Sequence, residues 1–225
     1  PDTVVLENAL DNLLAFAKRS PESGIWGGRT VYADGSLNPY SCWGRMTFWS
    51  TLCRTSGLSG LFSGSELMNS EVMGNWPRDT EREVDIVTGC LFLIRRETWE
   101  QLRGFERKFN MYGEEADLCL RARKLGLRPQ ITPEATIIHY GAASDTVRPD
   151  KMVRLMRAKI ELIKRHFSPL TRWAGYHLFR LWPLSRAVAL GLAGKISGRT
   201  SVQSRASEWS EVWKRRKEWE QGFSA

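Results

Sequence analysis

No run of 18 apolar residues interrupts this sequence, so nothing in it reads as a membrane-spanning helix, and no stretch has the make-up of a signal peptide. The four cysteines (Cys42, Cys53, Cys90 and Cys119) include no CxxC pair, which argues against a zinc site or a disulfide framework. Cys90 falls in the apolar run "VTGCLFLI" and Cys119 in a helical pattern, so both are expected as buried thiols in a reducing compartment. Internal repeats, low-complexity tracts and nucleic-acid reader motifs are absent, and nucleic acid is not expected as a partner. An initiator Met is absent too: "PDTVVL" reads as a chain already under way, and an N-terminal portion is expected to precede it.

What is present is charge, unevenly spread over 225 residues with a net of +8. Residues 1–150 hold 17 Lys+Arg against 20 Asp+Glu, whereas residues 151–225 hold 16 against 5. The first part is an ordinary, slightly acidic domain, and the excess positive charge belongs to the tail.

"TVVLENALDNLLAFAKRSP" reads as one helix with Leu6, Leu10, Leu13, Leu14 and Ala17 on its apolar face, stopped at Ser20-Pro21. "SGIWGGRTVYADGSL" alternates like a strand into an Asp34-Gly35 turn. Residues 38–83 are the least regular part and carry Trp43, Trp49 and Trp76; a loop of that length is functional or mobile. "EVDIVTGCLFLIRR" is apolar enough to be a central strand. "RETWEQLRGF" is a short helix closed by Gly104, and "ATIIHYGAAS" is a strand with Ala135, Ile137 and His139 on one face. Beyond 150, "KMVRLMRAKIELIKRHF", "WAGYHLFRLWPLSRAVALGLAGKI" and "SEWSEVWKRRKEWEQGF" read as helices. The alternation before 150 predicts an α/β domain over residues 1–149, and residues 150–225 a basic amphipathic helical extension.

"NMYGEEADLCLRARKLG" puts three carboxylates, Glu114, Glu115 and Asp117, in the first turn of a predicted helix that Gly126 ends. A first turn favours negative charge with no function attached, and Asp117 with Arg121 has the spacing of an i,i+4 ion pair. Glu114 and Glu115 point about 100° apart, so one can face a pocket while the other caps. His139 at a strand end lies on the sheet edge where α/β proteins bind ligands. Asp2 has the position of an N-cap, with Thr3 as the alternative. From these residues alone the cap and the catalytic readings both stay open.

"PDTVVLENALDNLLAF", "GGRTVYADGSLNPYS" and the stretch from "VDIVTGCLFLIRR" to "IIHYGAAS" together resemble the C-terminal half of a family 2 glycosyltransferase of GT-A fold. The likeness runs in order through residues 1–145 and is strongest to the rhamnosyltransferase-like branch that builds surface polysaccharides. "PD" resembles the end of a metal-binding aspartate motif, which implies Asp2 as a metal ligand. "MYGEEADLCLRAR" resembles the stretch with the general base, which implies Glu115, with Glu114 beside it. "IIHYGAAS" resembles the strand-end His that completes the metal site, which implies His139. Two departures stand out: Glu115 replaces the family's usual Asp, and in "LRGFERKF" Arg103 and Glu106 replace a more usual Gly and Asp.

The resemblance implies an inverting, metal-dependent transfer of rhamnose or a related hexose from a nucleotide-diphosphate sugar to a glycan or lipid-linked acceptor. Its cofactor would be divalent Mg or Mn, and its nucleotide-binding strands would precede Pro1, so this stretch alone is expected to be inactive. Asp85, Trp43 and Trp76 are candidates for acceptor contact, the two Trp equally readable as loop anchors. The basic tail, with Trp173 and Trp182, suits an anionic membrane surface, which implies a cytoplasmic protein peripheral on the inner face of the plasma membrane. A non-catalytic membrane- or polyanion-binding module is the alternative, and a metalloenzyme using His139 for another transfer or hydrolysis is a third class.

Overall fold

Ile131, Thr132, Thr136, Ile137 and Ile138 concentrate β-branched side chains in one segment, and β-branching favours the extended backbone. In the computed structural model, which describes residues 2–140 and 149–223, that segment becomes the longest strand. The chain runs β1 (Thr3–Val5), α1 (Ala9–Arg19), β2 (Ile25–Val31), β3 (Cys42–Trp43), α2 (Phe48–Ser56), α3 (Leu58–Leu61), β4 (Arg82–Glu83), β5 (Ile86–Val87), β6 (Phe92–Ile94), α4 (Arg96–Leu102), α5 (Glu114–Lys124), β7 (Gln130–His139), α6 (Pro149–His166), α7 (Pro169–Ser197) and α8 (Thr200–Lys214). It divides into two units: residues 2–45, 64–107 and 114–140 form one, and residues 46–63, 108–113 and 149–223 the other.

The first unit is a mixed sheet of order β1-β7-β2-β6, with β4 also on β7, and a small β3-β5 ribbon. β7 pairs in parallel with β2 and antiparallel with both β1 and β4. Its register against β2 jumps from Gly28↔Thr132 to Arg29↔Thr136, so residues 133–135 form a bulge. Pro133 explains it, because proline cannot donate to a ladder and is confined to bulges or edges. Opposite the bulge β2 carries Gly28, where a Cβ would stand 1.9 Å from the Ala135 carbonyl oxygen. On one face Leu13 and Phe16 of α1 bury against Trp26 and Ala135. Each such burial is worth roughly 1.5–3 kcal/mol.

Several expectations are corrected. The N-terminal segment is not one helix: Thr3, Val4 and Val5 pair with Ile137, Ile138 and His139, and the helix starts only at Ala9. β-Branched residues beside the end of β7 gain more from its open edge than from a helical turn. The buried face of α1 is Ala9, Leu13 and Phe16, while Leu6, Leu10 and Leu14 are exposed. The run 83–96 is not one central strand. Thr88-Gly89-Cys90 breaks it into β5, in the ribbon, and β6, at the sheet edge. Cys90 is therefore exposed rather than buried, whereas Cys42, Cys53 and Cys119 are buried. Residues 38–83 hold two short helices, and the part in the first unit is pinned by the buried Arg78. Its guanidinium donates to the carbonyls of Pro39, Val72 and Trp76. The Asp34-Gly35 turn appears as read, with a bridge between Val31 and Leu37.

The second unit is helical. Thr47 and Ser50 form a reciprocal capping box that starts α2. α6 buries Val153, Met156, Ile160 and Ile163 against Phe179 and Trp182 of α7, Val212 of α8, and Trp219. The apolar faces of α6 and the Trp182 ring are thus packed inside this unit, and Trp182 is no headgroup residue; Trp173 is 73% exposed. Among the described residues no helix is long and apolar enough to cross a membrane.

Two stability changes follow. Gly28→Ala should lower the urea midpoint by the equivalent of about 1–3 kcal/mol, because the obstructing atom is backbone. Gly191→Ala on α7, where a Cβ would meet nothing within 4 Å, is the control and should gain up to ~1 kcal/mol. Arg103 ends α4 with φ of 58°, a left-handed conformation that strains an L side chain. Arg103→Gly should therefore raise stability by about 0.5–1 kcal/mol once glycine's greater unfolded freedom is subtracted.

Candidate active site

α5 starts at Glu114, after Tyr112 and Gly113 turn the chain with φ of 67° and 92°. Its three acidic residues divide by burial. Asp117 is fully buried, and its Oδ2 accepts from Nε of Arg121 at 2.7 Å. The same guanidinium donates to the carbonyls of Leu102 and Gly104, so this pair ties α5 to the end of α4. Asp117 is structural.

Glu115 lies against the turn between β5 and β6. A Cβ built on Gly89 would stand 3.8 Å from the Glu115 Cβ, so the turn passes close to this position of α5. One oxygen of each of Glu114 and Glu115 is shielded from solvent, and that of Glu114 has no hydrogen-bond partner among the described residues.

The β1–β7 ladder supplies the second group of donors. Thr3 is opposite His139, and the Tyr140 N–H donates to the Asp2 carbonyl at 2.7 Å, which extends the pairing by one residue. Asp2 Oδ2 and His139 Nε2 consequently stand 3.2 Å apart. Cys90 Sγ is 3.7 Å from the same nitrogen. Burial pushes the Cys90 thiol up, the Thr88 hydroxyl opposes this, and the charges of Asp2 and Glu115 add to the rise. Cys90 thus feels both carboxylates, and Asp2, His139, Cys90 and Glu115 form one neighbourhood at the end of the sheet. Sequence reasoning missed Cys90 because it read the residue as part of a buried strand; Gly89 beside it was the available signal of a break.

A carboxylate oxygen and an imidazole nitrogen 3.2 Å apart suit a hard divalent cation such as Mn²⁺. Among the described residues no third His, Cys, Asp or Glu converges on the same point. Two protein ligands completed by phosphate oxygens and water is a pattern that Mg²⁺ sites use, so the donor set fits. The small residues after His139 lie at 141–144, outside the described residues.

The acceptor candidates gather elsewhere. Asp85 stands at the start of β5, with Oδ2 accepting from the Arg45 N–H at 2.8 Å and Oδ1 2.9 Å from Arg123 Nε. Arg123 lies eight residues beyond Glu115 on α5, about 12 Å along the axis. Asp85 is therefore at the opposite end of β5 from Gly89, with both oxygens engaged. It lines a cleft of about 230 Å³ with Glu66, Arg82, Glu83 and Arg123. Trp43 pairs with Ile86 in the same ribbon and is half-buried. The Trp76 ring lies under the guanidiniums of Arg78 and Arg82, at 5.2 and 4.9 Å, which makes it part of the loop's own packing.

The chain is similar to known proteins over this same region. It is 27% identical over 157 residues to the N-acetylglucosaminyl-diphospho-decaprenol L-rhamnosyltransferase of Mycobacterium tuberculosis, covering 64% of this chain and 46% of that protein. It is 29% identical over 147 residues to the O-antigen biosynthesis protein RfbC of Myxococcus xanthus, covering 63% of this chain and 10% of the relative. A shorter match, 37% over 57 residues, joins it to rhamnosyltransferase WbbL of Escherichia coli, covering 25% of this chain and 22% of that protein. The chain spans about half the length of the mycobacterial relative. The profile of the glycosyltransferase-like family 2 matches residues 2–161, a span that includes Asp2, Cys90, Glu115 and His139, and the chain belongs to that family.

Proposed function

We propose that this chain carries the acceptor-activating and metal-binding part of an inverting glycosyltransferase. The donor would be a nucleotide-diphosphate rhamnose or related hexose. The observation that carries the reading is the Asp2–His139 pair, 3.2 Å apart, in one neighbourhood with Glu115. Support for rhamnose comes from the names of the mycobacterial and Escherichia coli relatives. The mycobacterial name also specifies an N-acetylglucosaminyl-diphospho-decaprenol, so a sugar on a lipid diphosphate is the acceptor we assign. Such an acceptor is membrane-borne, and the protein would work from the cytoplasm at the inner face of the plasma membrane.

Glu115 acts as general base: its carboxylate takes the proton of the acceptor hydroxyl as that oxygen attacks the anomeric carbon of the donor. The bond to the diphosphate breaks on the opposite side, the electron pair leaves with the diphosphate, and the anomeric configuration inverts. Glu115 carries one methylene more than the family's usual aspartate, and side-chain-free Gly89 lies next to its Cβ. Asp2 and His139 would hold a divalent cation, which when bound offsets the charge growing on the departing diphosphate. Asp117 has no part in the chemistry beyond fixing α5.

Two experiments test this, each on a form of the protein that includes any residues preceding Pro1. Glu115→Gln should cut turnover of nucleotide-diphosphate rhamnose by on the order of 10²-fold or more while donor affinity is kept, and Glu115→Asp should retain part of the rate. A near-normal rate in the Gln variant would move the base to Glu114. In calorimetric titration with Mn²⁺ alone, Asp2→Asn and His139→Ala should each weaken binding by at least about tenfold. Unchanged affinity in both variants would take the cation away from this pair.

A further inference from the structure

α7 has two apolar faces, and only one is covered by the described residues. Gly175, Phe179 and Trp182 point into the helical core. At 100° per residue, Leu170, Trp173, Leu181, Val188 and Leu192 fall within an arc of about 100° on the other side, and Ile196 continues it. Their exposures are 92, 73, 44, 54, 57 and 88%. From Leu170 to Leu192 this stripe is about 33 Å long at 1.5 Å per residue. It is a ridge along one helix, with Pro183 on the buried side midway, and its partner must accept an extended apolar line rather than fill a pocket.

The surrounding charge says which partner. Residues 162–207 contain no Asp or Glu and eight Lys or Arg. Lys195, which falls inside the same arc, and Arg199, just beyond the end of α7, are exposed. Two copies joined through this ridge would bring these like charges together, whereas an anionic surface would be drawn to them. Exposed Trp173 at one end is the residue type favoured at a lipid headgroup boundary. A ridge whose apolar line lies along the axis, with cations at its C-terminal end, matches a helix lying flat in an interface.

We infer that the outward face of α7 docks the protein on an anionic lipid surface, without crossing it. The inference deepens the reading of a membrane-borne acceptor and rests on it for its biological sense. Its readout is vesicle binding, which does not depend on transfer.

The test is co-sedimentation of the full 225-residue chain with large unilamellar vesicles of phosphatidylcholine, and of phosphatidylcholine with phosphatidylglycerol, at low and high salt. The chain should pellet with the anionic vesicles at low salt and be released as salt screens the attraction. A variant carrying Leu181→Glu, Val188→Glu and Leu192→Glu should bind on the order of tenfold more weakly or less. Its thermal melting should match the parent's, since all three side chains are at least 44% exposed. A second variant, Leu170→Ser with Trp173→Ser, should weaken binding from the other end of the ridge. Undiminished binding by both variants, or equal binding to neutral and anionic vesicles, overturns the inference. A dimer in light scattering that the triple variant dissociates also overturns it and gives the face to a second copy. Failure of transfer to a soluble acceptor by a form that includes any residues preceding Pro1, with vesicle binding intact, would instead count against the catalytic reading alone.

Discussion

The two-sided pairing of β7 is the constraint on which the first unit depends. One edge of this strand is taken by β2, and the other is shared between β4 at its start and β1 at its end. A ladder fixes partners residue by residue, and a slip of one would reverse every side chain. With Thr3 held opposite His139, the preceding Asp2 lies near enough for its Oδ2 to stand 3.2 Å from the imidazole Nε2. The bulge at 133–135 absorbs the proline that would otherwise interrupt the strand, and Gly28 lets β2 pass close by.

The carboxylates of α5 show how burial divides labour among residues that look alike in the sequence. Asp117 is sealed against Arg121, and a buried ion that has its counter-ion and hydrogen bonds is a fixed structural element. Glu115, two residues earlier, meets a turn with no side chain at Gly89. The difference comes from rotation around the helix: residues 115 and 117 point about 200° apart, so one faces α4 and the other the β5–β6 turn. Fixing Asp117 also fixes the direction in which Glu115 points. The rigid pair supports the group that the proposed chemistry moves a proton through.

In the helical unit the same logic of faces applies at larger scale. α6 is amphipathic in the ordinary way, with its apolar side in the core and its cations outward. α7 is largely apolar on both sides; Arg180 is paired with Glu220, and Arg186 lies partly covered on the inward side. A helix that stays apolar on its exposed side gains nothing for folding from those residues. That exposed apolar line is the ground for the inferred docking on lipid.

The sequence by itself determined the element types over most of the chain: the acidic helix with its stop at Gly126, the Asp34-Gly35 turn, the short helix ended around Arg103-Gly104 and the helical tail. These follow from local chemistry, namely caps, turn residues and periodicity, which act within a few residues. It also carried the family resemblance through motifs such as "MYGEEADLCLRAR". Only the tertiary structure decided what depends on distant partners. Thr3–Val5 is a strand because β7 offers an edge about 130 residues later in the chain, and no local signal reports that. Residues 86–94 carry no charge and are mostly apolar, so period and composition did not reveal that Thr88-Gly89-Cys90 turns between two sheets and exposes Cys90. Arg78 is buried because three carbonyls from two loops meet around it, a coincidence in space that its charge argued against. Trp182 and Trp173 are the same residue type nine positions apart, and only the packing of α6 and α8 against one side of α7 separates core from surface. Burial is a property of what covers a side chain, and a sequence states the side chain without its cover.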